Sequence, residues 1–392
     1  MLRPAPVYTV LYNFGPLPDG NSPTMALVEN PNPGPLYGTT YGGGTPSKLC
    51  KLGCGTVYTI DPNTGAEHRV WNFKGRPDGA FPESEMSAPL SGTVYATTFF
   101  GGNAGPQCYT DRGCGTVFEI DSSGHEQVVY AFTGGTGDGA NPAGSLRLLN
   151  GVLYGTTQYG GKGFGTIFEL NPSGHGKLHD KLLYLFAGGA DGAYPLGNLL
   201  AVGGVFYGIT LKGGRNNVGT VFQFDPNTRK HRIVYSFDSA HGDYPAGLDF
   251  YRGSLYGTAS ADGAASRGSI YSIALKNDQF HFSVIHYFEG TPKSDGSVPY
   301  AAPQIYPPVN MLYGTTQCGG AYGSGTVYEV QLANKNEECV IHNFGRPQTS
   351  DGLRADSPVR QWNGLFYGAT VEGGTKGYGT VYAISPSAPC YH

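Results

Sequence analysis

The residues best able to do chemistry gather around one irregular stretch, His241-Gly242-Asp243-Tyr244-Pro245. Upstream lie Arg215, Asn216 and Asn217, and downstream lie Asp262 and Arg267. A histidine beside an acid, a tyrosine and arginines suits binding of an acidic sugar. The same set suits proton abstraction beside a carboxylate, the chemistry of a polysaccharide lyase, with His241 and Tyr244 as the candidate catalytic pair. The plain alternative is an ordinary loop that has drifted from its relatives. Loop aromatics form a second group: Tyr41, Phe99, Phe100, Tyr109, Tyr159, Phe164, Tyr322 and Tyr378. Rings with few charges around them stack on apolar sugar faces or form protein interfaces. Tyr41 and Tyr159 therefore join Arg215, Asn216, His241, Asp243, Tyr244, Asp262 and Arg267 as ligand-binding candidates.

Other chemistry has less support. The chain holds no G-x-S-x-G, no H-E-x-x-H, no Walker loop and no EF-hand loop. Its glycine clusters precede strands, so they offer no helix N-terminus to hold an anion. No cofactor is expected. Cys50 and Cys54 share one loop, and Cys108 and Cys114 share the matching loop of the next repeat, which reads as two local disulfides. No nearby histidine completes a four-ligand metal set, so no metal site is assigned. Cys339 and Cys390 suit a third bridge, which leaves Cys318 as the odd thiol. Charged residues make up 14% of the chain and the net charge is −4. No basic patch stands out, and nucleic acid is not an expected partner. No apolar run reaches the ~18 residues of a membrane-spanning helix.

These residues sit on a repeat. Variants of Leu-Tyr-Gly-Thr-Thr recur with tyrosines at Tyr37, Tyr95, Tyr154, Tyr207, Tyr256, Tyr313 and Tyr367, at spacings of 58, 59, 53, 49, 57 and 54 residues. Each is followed by a small-residue loop and a Gly-Thr-Val-Tyr-like run, then a strand ending in phenylalanine. An Asp-Gly turn and a proline come next, as in Asp138-Gly139 with Pro142. The turn aspartates read as turn formers, the threonines as ladder residues and the repeated tyrosines as core. A period of this length means a repeat architecture.

The copy around Leu153–Leu170 predicts one full unit. Strand A lies near Ser145–Leu149, strand B is Val152–Thr157, strand C is Thr166–Leu170 and strand D is Leu182–Phe186. An Asn150-Gly151 turn joins A to B. Seven such meanders predict an all-β, seven-bladed β-propeller of four-stranded antiparallel blades, a single domain over residues 1–392. The chain starts on a D-type strand, Val7–Phe14, and ends on a C-type strand, Thr380–Ile384. The N-terminal strand is thus expected to complete the last blade and close the ring. The D–A and B–C loops share one face, the usual binding face of propellers, and His241 maps there. Glycines beside the tyrosines are expected to let adjacent sheets approach.

The pattern L-Y-G-T-T-x-x-G-G-x-x-x-x-G-T-V-[FY]-x-[IL], then Y-x-F and D-G-x-x-P, resembles the GloVer-type tandem-repeat proteins of bacteria over Val7 to Pro386. That resemblance implies a secreted or surface-anchored repeat protein without a defined activity, and it carries over no catalytic residues. The N-terminal segment MLRPAPVYTVLYNF lacks the charged, apolar and small-residue regions of a signal peptide. The expected function is non-catalytic binding of a glycan or protein surface, extracellular or at the cell surface, with carbohydrate the favoured ligand. A polysaccharide lyase centred on His241 and a structural surface or assembly protein are the alternatives.

Overall fold

Strands form where β-branched and aromatic residues run between the glycine-rich turns, and they fall where the repeat places them. The computed structural model describes residues 6–24, 27–29, 34–87, 89–105, 108, 112–171, 180–276, 279–291, 295–332 and 338–386. In the cleanest copy the antiparallel order is Arg147–Leu149, Val152–Thr157, Thr166–Leu170 and Asp180–Leu185. Asn150 and Gly151, with φ of 51° and 78°, make the tight turn between the first two strands. The D strand stops one residue before Phe186, whose ring is fully buried.

The fold is all-β, a seven-bladed β-propeller of four-stranded antiparallel blades. Two blades depart locally. The first shortens its inner strand to Val28–Glu29 and takes Gly20–Pro23 into the same sheet beside Leu36–Gly43, and the second reduces its inner strand to a bridge between Leu90 and Thr93. In the last blade Tyr8–Asn13 lies beside Thr380–Ile384, running from Tyr8 opposite Ile384 to Asn13 opposite Thr380. The N-terminal strand therefore completes the last blade, as its D-type pattern requires. Two compact units divide the chain. One holds the described residues of 1–15, 22–27 and 237–392, and the other those of 16–21 and 28–236.

Packing explains the motif letter by letter. The glycine of Leu-Tyr-Gly does not serve neighbouring sheets, as the sequence suggested. It clears space for the ring directly across its own sheet. A Cβ on Gly155 would come within 2.5 Å of Phe168, and one on Gly314 within 2.4 Å of the Tyr328 ring. The second threonine bonds the threonine of Gly-Thr-Val at 2.8 Å, as in Thr157 with Thr166. The Asp-Gly glycine lies against that same threonine, so a Cβ on Gly139 would meet Thr157 at 2.5 Å.

Approach between successive blades belongs to the other glycine. A Cβ on Gly165, whose φ is 95°, would meet Pro195 Cδ of the following blade at 2.5 Å. Gly55 stands in the same relation to Pro82, Gly268 to Pro299 and Gly379 to Pro23. The Gly-Thr-Val glycine and the Asp-Gly-x-x-Pro proline are thus two halves of one contact. Each C–D pairing also carries a register shift at the same place, such as Val117/Phe118 and Val327/Tyr328. A bulge there adds twist and turns the next D-strand aromatic towards the loop that follows. Both faces of the C strands are buried, with Ile167, Phe168 and Leu170 fully enclosed. Burying such side chains stabilises by about 1.5–3 kcal/mol each.

Candidate functional site

The turn aspartates are structural. Asp138 Oδ1 accepts the Gly139 N–H at 2.6 Å while Oδ2 accepts the Thr133 N–H at 2.6 Å. Asp295 holds Gly296 and Glu289 in the same way. A D-strand donor two residues before the phenylalanine adds a third bond. It is Tyr184 to Asp191 at 2.6 Å, His286 to Asp295 at 3.1 Å and His342 to Asp351 at 3.2 Å.

Six residues before the phenylalanine, the next D strand brings one more group to each aspartate. His231 Nδ1 lies 3.2 Å from Asp191, and Tyr8 faces Asp351 while stacking on His342 at 3.7 Å. Glu338 takes this place at Asp295. Ligand atoms of His286, Asp295 and Glu338 all lie within 4.8 Å of one another, a spacing that suggests a metal centre. Equivalent places elsewhere hold Tyr184, Asp191 and His231, or His342, Asp351 and Tyr8. The trio is therefore one copy of a repeated side-chain clasp around the turn aspartate. Burial first, then Asp295 and Glu329, pushes Glu338 up to about 8. Glu126 is likewise raised to about 8 by burial and by Asp78.

Variation concentrates at the residue before the repeat proline. Ser22, Phe81, Asn141, Tyr194, Tyr244 and Val298 sit there with φ between 52° and 58°, and Arg354 at 57° has Ala355 in place of proline. This left-handed backbone is costly for residues other than glycine. Backbone bonds hold it. The Phe81 N–H donates to Cys54 O at 2.7 Å, and Phe81 O accepts from the Phe99 N–H at 3.0 Å. Backbone geometry is thus constant across the copies while the side chain is open to change.

Blades one and two use that freedom to build an aromatic cluster. Tyr41 meets Phe81 at 4.9 Å, and Phe81 meets Phe100 edge-on at 5.8 Å. The exposed Arg112 guanidinium lies over both Phe81 and Phe100, 5.9 and 5.4 Å from the ring centres. Burial raises the Glu83 carboxyl to about 7. Tyr41 is raised by burial, then by Glu83, with Arg112 acting oppositely, so the three groups share one patch. Disulfides Cys50–Cys54 and Cys108–Cys114, with Cα separations of 5.2 and 4.7 Å, fix the two loops. Cys54 holds Phe81, and Arg112 lies two residues before Cys114. A smaller group in the same unit joins Tyr194 to Tyr159 at 5.4 Å and to Phe164 at 6.2 Å.

The other sequence candidates lie as follows. His241 Nδ1 bonds Asp238 Oδ1 at 2.7 Å, and the pair is about 40% exposed. Asp243 is buried, with Ser239 at 3.5 Å. Tyr244 is half-buried, and Asp262 lends its carbonyl to the Gly268 N–H at 2.9 Å. The Arg267 side chain lies along Gly290. Arg215 and Asn216 are exposed and belong to the other compact unit. Cys318 is an exposed free thiol, and Cys339 is disulfide-bonded. Cys390, His175, His179, His392 and Tyr109 lie outside the described residues. Sequence reasoning named Tyr41 and missed Phe81, Glu83 and Arg112. Phe81 and Glu83 were signalled only by variation on either side of the repeat proline Pro82, and Arg112 only by its place two residues before Cys114.

A repeated blade motif with variable loop residues defines a β-propeller repeat protein. The Gloeobacter/Verrucomicrobia repeat family model matches residues 50–252 and 247–391, and the chain belongs to that family. No curated protein matches the sequence. Among solved structures, a putative 6-phosphogluconolactonase from Bacteroides uniformis is similar at 13% identity, covering 81% of this chain and 83% of that one, with a TM-score of 0.53. TolB from Acinetobacter baumannii matches at 12% identity over 72% of this chain, with a TM-score of 0.45. A prolyl endopeptidase matches at 12% identity over 86% of this chain, with a TM-score of 0.48. This chain spans 59% of that TolB chain and 42% of the endopeptidase. At such identities the likeness is one of fold alone. No helix among the described residues is long and apolar enough to cross a membrane.

Proposed function

We propose that the protein is a non-catalytic ligand-binding propeller with carbohydrate as its ligand class, acting outside the cell or at its surface. The observation that carries this reading is the cluster of Tyr41, Phe81 and Phe100 under Arg112, held by two disulfides. Pyranose rings present apolar C–H faces that stack on aromatic side chains, and an arginine beside them supplies hydrogen bonds. The disulfides suit an oxidising compartment. Calorimetric titration with soluble oligosaccharides, after a glycan-array screen, tests the reading. Tyr41→Ala should weaken binding at least about tenfold, since an aromatic contact contributes about 0.5–1.5 kcal/mol beyond its area. An array without a single binder would count against it.

One observation keeps the lyase reading in play. Asp238 orients the half-exposed His241 through Nδ1, which leaves Nε2 as the nitrogen to act as a base. Tyr244 lies three residues on with a left-handed backbone. Uronate polysaccharides incubated with the protein should then give unsaturated products, seen by ultraviolet absorbance. A signal unaltered by His241→Ala removes this reading.

A further inference from the structure

We propose that the cluster on blades one and two selects acidic sugars, seating a uronate carboxylate on the Arg112 guanidinium while a pyranose face stacks on Tyr41. The inference rests on the carbohydrate-binding reading and gives that ligand its charge.

Arg112 is the starting point. Its guanidinium packs over two ring faces and is exposed. Among the described residues its side chain makes no ion pair, although such a cation on a protein of net charge −4 has acids to choose from. Arg354 shows the contrast. It also sits on a loop, and it is engaged by Glu372 at 2.8 Å and Asp356 at 3.9 Å. A guanidinium held over aromatic faces keeps its N–H fork available, and that fork fits a planar carboxylate through two parallel bonds. Glu83 supports the assignment. It is a carboxyl withdrawn from solvent beside Tyr41, and burial holds it at about 7, so it is largely neutral in mildly acidic conditions. A neutral acid there donates to a sugar hydroxyl and does not repel the anion on Arg112.

The position of Arg112 is fixed from the backbone. Its carbonyl accepts the Gly101 N–H at 2.6 Å, and the neighbouring Cys108–Cys114 bridge closes the loop. Phe81 is fixed from the other side by Cys54. The cation and the Phe81 ring against which Tyr41 packs at 4.9 Å are therefore held before any ligand arrives, which lowers the ordering cost of binding.

The test is calorimetric titration at pH 6 with an oligogalacturonate and with a neutral oligogalactan of equal length. The wild type should bind the uronate at least about tenfold more tightly, as expected for one charge-assisted bidentate contact. Arg112→Gln should lose that preference and keep its affinity for the neutral sugar. Arg112→Lys, which keeps the charge without the fork, should retain only part of it. Equal affinity for the two sugars in the wild type overturns the proposal and leaves carbohydrate binding standing, as does a preference that survives Arg112→Gln. Failure of the wild type to bind either sugar overturns both readings.

Discussion

Replacing Glu338 by glutamine should remove part of the protein's sensitivity to alkaline pH. Glu338 lies beside Asp295, with His286, Glu329 and Tyr328 facing the same space. Burial and the neighbouring acids lift its pKa from 4.5 to about 8. Between those values the unfolded chain has released the proton while the folded one keeps it. Folding then binds more protons than unfolding, and stability falls as pH rises. Below about 4.5 and above about 8 the contribution is flat. A span of roughly 3.5 pH steps, at about 1.4 kcal/mol each, sets a ceiling on the order of 5 kcal/mol. At this chain length each kcal/mol moves Tm by roughly 1–2 °C. Glutamine keeps the shape of the neutral acid but does not titrate. The assay is thermal unfolding from pH 5 to pH 9 for both proteins, read as the difference in Tm at each pH. The wild type should lose several degrees relative to Glu338→Gln across that range. A pH-independent difference would falsify the neutral-acid account of the clasp. Glu126 titrates in the same direction and is common to both proteins, so it cancels in the comparison.

Three further outcomes follow from the packing. Gly165→Ala should destabilise by about 3 kcal/mol or more in denaturant unfolding, because its Cβ would meet Thr157 O and Pro195 Cδ at 2.3 and 2.5 Å. Gly151→Ala, with φ of 78° and open space around it, should cost only about 1 kcal/mol, and equal losses at the two sites would refute the interlock. Tyr328→Phe should leave stability within about 1 kcal/mol or raise it, since the fully buried hydroxyl has no hydrogen-bond partner among the described residues; a large loss by calorimetry would mean that the hydroxyl is satisfied after all. Removing residues 1–15 strips the outer strand from the last blade and the buried Phe14 with it, so Tm should drop sharply, and an unchanged Tm would refute the closure.

Most of the fold was legible because the repeat is written in residue types whose conformations are narrow. Asn150-Gly151 permits little but a tight hairpin, and the spare strand at Tyr8–Asn13 follows from counting strands. What each glycine touches was not legible. Gly155 and Gly165 look alike in sequence, yet one faces a ring across its own sheet and the other a proline of the following blade, Pro195. The clasp was hidden for a similar reason. Tyr184, His286 and His342 look unrelated until each is seen to bond the aspartate that follows it. At the candidate site Tyr41 was visible as a loop aromatic. Phe81 and Arg112 belong to no pattern that singles them out: one adjoins the repeat proline Pro82 and the other lies between Cys108 and Cys114. Only the folded arrangement of two successive loops puts the cation over the ring.

The strand that completes the last blade has a mechanical consequence. Tyr8 lies opposite Ile384, so the two chain ends leave the pair from the same edge. A pull applied between them would load the rungs one after another rather than all together. The first to part would be the bonds between Val7 and Ser385, at 2.8 and 3.0 Å, followed by the rungs towards Asn13 and Thr380. Tension delivered through one end alone, as in a protein tethered to a surface, would leave this zipper unloaded. Tension across both ends would open the molecule at its seam, at low force and one residue pair at a time.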